Sequence, residues 1–538
     1  MVHVGRWAKM GLRILALPVS VLLLLFALLD LFIDVAPYYS HAVEHNLELV
    51  ESEDPAVRIR ATETLLDLAE RLRERGDSAM ALEIYRGLWD RSADADRRHV
   101  RCGAIRGLAH VLGPAAVDDL ASAIAGDDGQ VRACAIAAAA EVPGEDVTRV
   151  WVRRLDGADA ALEPVIVLIL GRRGGPAAAE AILGALGSDR PAVRRAAIAA
   201  AVGLGSPKAV GPLVALLASE DEAERSAAEE ALARLGGPGT NAALAEHLAS
   251  SGPAVRERLV EALLARAATG QVPAIAPCLD DASADVQRAA CRALAVLGGE
   301  GQAAALLGLL VRTGDAGVRE GAEAALAAIA HRSDASGFTR QVLGAMPGAG
   351  ADARAALVRL LAEAPTPAGL EAVRSALEDT DARVRESAIR ALGTWPAESA
   401  TDGLLGVARS GETEKERILA VRALVQQAGR PGRAAADAVA LYRQALNAAE
   451  RPQEKRLALA GLAGVPAPAA LALAMDVMTA GSLREEAAAA VIAVAEGIAA
   501  DHPAEVRQAM EAVLGVVKSD RLRERAERLR QRLGRPRS

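Results

Sequence analysis

A short motif recurs at a nearly constant interval along most of this 538-residue chain. Copies start with a valine followed by arginine or glutamine, and they lie 31 residues apart (Val255 to Val286) or at twice that distance (Val193 to Val255). The clearest copies begin at Val131, Val193, Val255, Val286, Val318 and Val384, and weaker copies begin at Val57, Val100, Leu162, Glu224, Ala353, Glu416, Glu454 and Leu483. A fixed period of this length is typical of solenoids. We therefore expect about fourteen similar units between residues 43 and 505.

Each unit has the pattern of two short helices. In the copy that begins at Val131, the apolar residues Ala135 and Ala139 follow four and eight positions later, which places all three on one face of a helix. Another helix precedes each copy, as in residues 207–218, where Ser206 is the expected N-cap before a proline at the first helical position. A single pair of helices cannot bury its apolar face alone, so the units must stack on one another. This predicts an all-α solenoid.

The composition agrees with close-packed helices. Aromatic residues make up 2% of the chain and apolar residues 51%, so the core is expected to consist mostly of Ala, Leu, Val and Ile. Tetratricopeptide repeats are the nearest rival, but they have about 34 residues and aromatic packing positions that this chain largely lacks. Residues 81–85 (ALEIY) are the one place where that rival fits.

The repeated pattern D-x-x-V-R-x-x-A-x-x-A-L-x-x-L-G resembles the HEAT-repeat family, in particular the short bacterial form named after its phycobilisome-lyase members. The resemblance covers nearly all of the chain after the amino-terminal segment. It implies an armadillo-type, right-handed α-solenoid whose second helices line a concave surface that binds proteins. It also implies that the recurrent aspartates and arginines bridge neighbouring turns as a structural ladder. The residues assigned to this ladder are Asp128, Arg132, Arg194, Asp315, Arg319, Asp381 and Arg385.

The amino terminus differs from the rest of the chain. Residues 14–29 (ILALPVSVLLLLFALL) carry no charge and approach the ~20 residues that cross a bilayer. Arg6, Lys9 and Arg13 precede this segment, and Asp30, Asp34 and Glu44 follow it. The positive-inside bias then predicts a transmembrane anchor over residues 12–35, with residues 1–11 in the cytoplasm. A signal peptide cleaved near residues 40–42 (SHA) and a buried core helix are the two alternatives.

These features predict a single-pass protein of the bacterial inner membrane with a periplasmic solenoid. If the segment is instead a cleaved signal peptide, the solenoid is still exported. Residues 506–538 are expected to form capping helices and a basic tail, because a solenoid needs a polar outer face at its end. The arginines of residues 520–538 are alternatively a contact for anionic lipid or for a partner. Residues 333–351 and 429–434 are predicted interruptions, as loops at a binding edge or hinges.

Polar residues that do not belong to the ladder are the better candidates for binding. Six positions after the first residue of a copy, four of the second helices carry an arginine: Arg292, Arg359, Arg390 and Arg422. Such a row predicts a weak binding stripe for acidic protein segments. The alternative is that each arginine is a solvated helix position, with Glu386 and Arg390 forming an ordinary i, i+4 pair.

No motif for a catalytic or cofactor site is present in the sequence. Phosphate loops, H-E-x-x-H, G-x-S-x-G, dinucleotide fingerprints and paired cysteines are lacking, and none of the eight histidines is followed by glutamate. HEAT-type hydroxylases carry His-Glu metal pairs, so their activity does not transfer. The cysteines are expected to be small core residues without a disulfide; they are Cys102, Cys134, Cys278 and Cys291. The net charge of −8 disfavours nucleic acid as a partner.

The sequence therefore predicts a non-catalytic, membrane-anchored scaffold that binds protein partners, with no metal, cofactor or small-molecule substrate. The main alternative is a lyase-like or other enzyme accessory protein, which requires a pocket with clustered histidine, aspartate or aromatic residues. A purely mechanical spacer is the third possibility, and it predicts that no partner co-purifies with the chain.

Overall fold

The computed structural model describes residues 36–93, 97–396, 398–481 and 483–533, and this part of the chain contains α-helices and short 3-10 turns but no strand. The prediction of an all-α solenoid is confirmed. Helices follow one another in pairs, and the first helix of each pair is odd-numbered below and the second is even-numbered. The described residues form fifteen pairs (30 helices, two per pair), and the chain divides into two compact units after Leu244. The predicted anchor at residues 12–35 lies outside the described residues.

The first unit is built from twelve complete helices. They are α1 (Ala36–Leu49), α2 (Pro55–Glu74), α3 (Ser78–Asp90), α4 (Arg98–Leu112), α5 (Val117–Ala125), α6 (Gly129–Glu141), α7 (Glu145–Leu155), α8 (Leu162–Arg173), α9 (Pro176–Ala185), α10 (Pro191–Leu204), α11 (Val210–Leu216) and α12 (Glu222–Arg234). Successive even-numbered helices pack side by side, as α4 does with α6 and α8 with α10. The unit boundary falls inside α13 (Thr240–Leu248).

The second unit continues the same alternation. Its helices are α14 (Pro253–Ala265), α15 (Val272–Ile275), α16 (Ala284–Leu297), α17 (Ala303–Arg312), α18 (Ala316–Ala330), α19 (Ala335–Ala345), α20 (Ala351–Glu363), α21 (Pro367–Ser375), α22 (Ala382–Thr394), α23 (Thr401–Ser410), α24 (Glu414–Ala428), α25 (Ala435–Ala448), α26 (Pro452–Leu462), α27 (Pro468–Ala480), α28 (Arg484–Ile498), α29 (Pro503–Val516) and α30 (Asp520–Leu533). Each even-numbered helix from α14 to α28 contacts the next even-numbered helix. The segment predicted as capping helices therefore forms one more pair, α29 and α30.

The recurrent aspartates cap the second helices. Asp128, Asp315 and Asp381 have extended backbones and accept hydrogen bonds from backbone N–H groups in the first turn of α6, α18 and α22. These bonds satisfy donors that a helix start leaves without an intrahelical partner. Asp128 also lies 3.6 Å from Arg98 and Asp315 lies 3.4 Å from Arg288, both on the preceding second helix. Asp128 and Asp315 thus bridge neighbouring pairs, as the ladder prediction requires, whereas Asp381 pairs with Arg383 of its own helix at 2.8 Å.

The recurrent arginines fasten the turn inside each pair. Arg194 donates to the carbonyl oxygen of Ser188 and Arg385 to that of Asp379, each six residues earlier, at 2.8 Å. The same bond is made by Arg58, Arg225, Arg319, Arg417 and Arg523. The carbonyls belong to the turn after the first helix, where the helix geometry leaves acceptors unpaired. This shared need explains why arginine follows the valine in so many copies.

The prediction that all four cysteines are unpaired core residues is wrong for two of them. Cys102 on α4 and Cys134 on α6 form a disulfide with a Cα–Cα distance of 5.5 Å. They are 32 residues apart, about one repeat, so adjacent second helices carry them at neighbouring positions. Cys278 and Cys291 are free and buried as predicted, and burial raises the pKa of the Cys291 thiol to about 11.

One predicted interruption is in fact regular structure. Residues 335–345 form α19, which Asp334 caps by accepting from the Gly337 N–H and which buries Phe338 completely. The glycines and small residues had suggested a loop, but a single cap and one buried aromatic ring are enough to fix this helix against α17 and α20. Residues 429–434 are non-helical, as predicted.

Within the described residues, one helical stretch, Arg98–Ala125, has the length and hydropathy of a membrane span. It comprises α4, a 3-10 turn and α5, and Gly113 between them has a φ of +54°, so the α-helix does not continue through it. Both helices pack within the first unit, and 44% of the apolar window is buried there. A packed core helix passes the same length and hydropathy test, which makes this stretch weak support for a membrane span.

Candidate protein-binding groove

The four predicted arginines occupy equivalent positions on four second helices, and each forms an ion pair with a glutamate. Arg292 on α16 pairs with Glu261 at 2.9 Å, Arg359 on α20 with Glu323 at 2.6 Å, and Arg422 on α24 with Glu454 at 2.8 Å, all on neighbouring second helices. Arg390 on α22 pairs with Glu386 at 3.1 Å within its own helix, as the i, i+4 interpretation expects. The arginines therefore form a row whose positive charge is largely compensated.

Two of these arginines border an open groove of about 680 Å³ in the second unit, formed by α18, α20 and α22. Arg359 and Arg390 line it, whereas Arg292 and Arg422 do not. Its apolar lining consists of small side chains, among them Ala324, Ala327 and Ala355. At the position where α16, α20 and α22 carry an arginine, α18 carries Ala324, so the groove lies where the row of long side chains is interrupted.

Arg359 is held rigidly at the edge of the groove. Its guanidinium donates to both carboxylate oxygens of Glu323, at 2.6 and 2.7 Å, and to the hydroxyl oxygen of Ser387 at 3.0 Å. One side chain therefore connects α18, α20 and α22 across the groove. A two-oxygen arginine–carboxylate pair fixes the guanidinium plane as well as its position. Contacts within the chain therefore fix the shape of this edge of the groove.

Glu386 is the second charged centre. It accepts from Arg390 on its own helix and from Lys415 on α24, at 3.1 and 2.7 Å. Burial favours the protonated acid, but the hydrogen bonds from Lys415 and Arg390 outweigh it and hold the pKa of Glu386 below its ordinary value. Two cations thus share one carboxylate, which leaves an excess of positive charge at this end of the groove.

Over its whole lining the groove has balanced charge. It carries four arginines, Arg319, Arg359, Arg383 and Arg390, and four acids, Glu320, Glu323, Asp352 and Glu386. A surface of this kind lacks the concentrated basic charge that nucleic acid needs. It offers donors and acceptors around a floor of small apolar side chains, which suits a polypeptide segment with both polar groups and small side chains.

Part of the groove lining was not predicted from the sequence. Arg319 was predicted only as a ladder residue, and Glu320, Asp352 and Arg383 were not predicted as groove residues. A signal was available, because residues two and six positions after the first residue of each copy are one helical turn apart and share a face. Glu320 and Glu386 are the residues two positions after Val318 and Val384.

Among the described residues, no group of three or more His, Cys, Asp or Glu side chains is arranged to hold a metal ion. Two histidines form surface pairs, His331 with Glu363 at 3.2 Å and His502 with Glu505 at 3.0 Å. Neither histidine lines the groove.

Comparison with known proteins gives a family match and several structural similarities. A family model described as HEAT repeats matches residues 148–233, 241–327 and 345–425. No curated protein matches the sequence. An importin beta crystal structure has 14% identity and a TM-score of 0.44 and is aligned over 91% of this chain and 72% of that chain.

Two further structures have similar scores. A chain from the structure of Kap95p with RanGDP has 13% identity and a TM-score of 0.39, covering 92% of this chain and 80% of that chain. A chain from a homology model of the AP-3 complex has 11% identity and a TM-score of 0.44, covering 92% of this chain and 94% of that chain.

Proposed function

Residues 148–425 of this chain belong to the HEAT-repeat family, and from this we propose that the protein is a non-catalytic, membrane-anchored scaffold that binds a partner protein in the groove between α18 and α22. The observation that carries the proposal is the groove itself, with its alanine floor and its rim of fixed ion pairs on three successive second helices. In a solenoid, residues that recur in every repeat serve the frame. The groove lies at Ala324, where the sequence of α18 differs from the arginine found at the equivalent position of α16, α20 and α22.

The groove suits an extended or helical protein segment rather than a small ligand. Its volume of about 680 Å³ lies within the range of ligand sites, but such sites are mostly enclosed and apolar. This one is open along its length and is lined by eight charged residues. The charged side chains at the edge of the groove can orient a bound backbone through hydrogen bonds. The alanines at its base leave room for the side chains of the bound segment.

The proposed location is the bacterial inner membrane, with residues 12–35 as the anchor and the solenoid on the periplasmic side. The disulfide between Cys102 and Cys134 supports an oxidising compartment for the solenoid. Disulfides persist in secreted and periplasmic proteins and are rare in the cytosol, where thiols are kept reduced. A reporter that is active only in the cytoplasm, fused to residue 538, tests this location. Activity of the fused reporter would contradict it.

The binding proposal is tested by placing a photo-crosslinking amino acid at Ala324 in the full-length, membrane-inserted chain. Ala324 is exposed in the groove, and Ala304 on α17 is an exposed alanine outside it that serves as the matched control. We expect a discrete protein adduct from position 324 and none from position 304. Equal adducts at both positions, or no adduct at position 324, would contradict the proposal.

A further inference from the structure

The last helix, α30, is oriented by a short apolar face. Ala526 and Leu529 are buried, Leu522 is half-buried, and α30 packs on α28 and α29. Arg523 donates to the Val517 carbonyl as the equivalent arginines of other pairs do. The helix therefore has a fixed rotation about its axis, so the direction of its other side chains is also fixed.

Four arginines of α30 lie along one side of the helix. They are Arg521, Arg525, Arg528 and Arg532, and we call them the α30 arginine stripe. Their spacings of four, three and four residues place them one above the other, on a side different from that of the buried face. Arg528 is six positions after Leu522, which makes it the equivalent of Arg390 and the other arginines of the predicted row.

The stripe has more positive charge than its surroundings compensate. Arg525 donates to Glu496 on α28 at 2.8 Å. That bond, opposed by burial and helped by the nearby charges of Arg532 and Arg528, holds the pKa of Glu496 below its ordinary value. Among the described residues, Arg521, Arg528 and Arg532 have no carboxylate within ion-pair distance. Three guanidinium groups of the stripe are therefore without a direct ion pair in this part of the chain, although Glu524 is a neighbour of Arg521 and Arg528 along the helix.

We infer that the α30 arginine stripe is a second docking surface, which takes an acidic segment, rich in aspartate or glutamate, of a protein partner. This inference rests on the proposed function, that the solenoid binds proteins, but it concerns a different surface with a different charge. The groove between α18 and α22 is balanced, whereas the stripe is a line of guanidinium groups that favours carboxylates.

A protein segment fits this surface better than an anionic bilayer does. Asp520, Glu524 and Glu527 follow a line of their own along α30, on the side opposite the buried face. A flat bilayer that approached this outermost side would bring its phosphates against these acids. A single extended chain is narrow enough to lie along the stripe and avoid them. The stripe covers 11 residue steps, about 16 Å of helix, which matches about five residues of extended chain.

The test measures binding of a fluorescent octapeptide, with glutamate at alternate positions, to the full-length chain in non-ionic detergent. The variant R521Q/R528Q/R532Q removes the unpaired arginines and keeps Arg525 with Glu496. The matched variant R340Q/R507Q/R530Q removes the same charge from exposed arginines elsewhere in the same unit. We expect the stripe variant to bind at least tenfold more weakly and the matched variant to bind within twofold of the parent. Affinity should also fall as salt rises.

The inference is overturned if both variants lose affinity equally, or if a peptide with glutamine in place of glutamate binds as well. It is also overturned if vesicles containing anionic lipid, and not the peptide, distinguish the stripe variant from the matched variant. Thermal melts followed by circular dichroism verify that both variants are folded. The adduct from position 324 is measured in the same variants. Absence of that adduct in the parent chain counts against the proposed groove. If the parent chain gives the adduct but does not bind the peptide, or if the stripe variant binds the peptide as well as the parent does, the result counts against the stripe alone.

Discussion

Arg385 connects two neighbouring repeats through a nearly buried guanidinium. It donates to the Asp379 carbonyl in its own pair and contacts Glu416 and Glu412 of the next pair at 2.8 and 2.7 Å. Glu416 is buried, and its carboxylate also accepts from the Thr413 N–H. Such a buried pair has a small net effect on stability, because desolvation offsets the attraction, but removal of one partner leaves a buried charge uncompensated.

We therefore predict that Arg385→Met destabilises the second unit by about 3–5 kcal/mol. The double variant R385M/E416Q should recover a large part of this loss, because it no longer buries an unpaired carboxylate. Urea unfolding curves of R385M, E416Q and the double variant measure the difference. A double variant as unstable as the sum of its single changes would contradict this account of the pair.

A second residue-scale prediction concerns Gly107 on α4. A Cβ added at this position would lie 2.1–2.3 Å from three ring atoms of Tyr85, which is buried on α3 and cannot move away without disturbing the core. Gly107→Ala should therefore destabilise the first unit by about 1–3 kcal/mol, as overpacking does. Gly184→Ala on α9 is the control, because nothing lies within 4 Å of its Cβ. It should be neutral or stabilise by up to about 1 kcal/mol. Thermal melts that rank the two variants in the reverse order would refute the packing argument.

At the scale of single elements, the disulfide joins α4 to α6 across one repeat. Repeats contact only their neighbours, so a covalent link between adjacent repeats acts locally. We predict that C102S/C134S lowers the stability of the first unit by about 2–4 kcal/mol. Dithiothreitol should produce the same loss in the parent chain and no further loss in the variant. A parent chain whose urea midpoint is insensitive to the reductant would show that the bond does not contribute.

The sequence allowed the helix pairs to be predicted because their causes are local. A cap such as Asp128, and an arginine that donates to a carbonyl six residues earlier, leave the same signature in many copies. The helix α19 was missed because its main support, the buried Phe338, occurs once and has no counterpart in other repeats. The disulfide was missed because its spacing equals the repeat and not a local cysteine motif.

At the scale of the whole molecule, the ladder makes stability depend on pH. Hydrogen bonds that backbone N–H groups donate to Asp128 lower its pKa, and the hydrogen bond from Arg354 lowers the pKa of Asp379. Hydrogen bonds from Arg383 lower the pKa of Asp381 to about 2. A carboxyl whose folded pKa is depressed contributes stability above its unfolded pKa, and that contribution is lost as pH falls.

The urea midpoint should accordingly be constant near neutral pH and fall as pH drops from about 4.5 toward 2, since the ordinary values are 3.8 for aspartate and 4.5 for glutamate. Added salt should reduce the effect of the exposed pairs. A midpoint that rises as pH falls below 4 would mean that the ladder carboxylates do not stabilise the fold.

The groove could be predicted only in part. The sequence identified Arg359 and Arg390, but it placed them in one continuous row with Arg292 and Arg422. The groove depends on Ala324, a residue whose importance is the absence of a long side chain, and on pairs such as Arg359 with Glu323 that join different repeats. The packing between repeats determines which arginines form ion pairs with which glutamates. The spacing of residues along one helix does not predict these pairs.

The central claim, that the groove between α18 and α22 receives a partner protein, is tested most directly by filling it. A photo-crosslinking residue at Glu320 on the groove rim is combined with Ala324→Trp, and Ala304→Trp outside the groove is the control. The account predicts that Ala324→Trp abolishes the protein adduct and that Ala304→Trp leaves it unchanged. An adduct that persists with tryptophan at position 324 would contradict it.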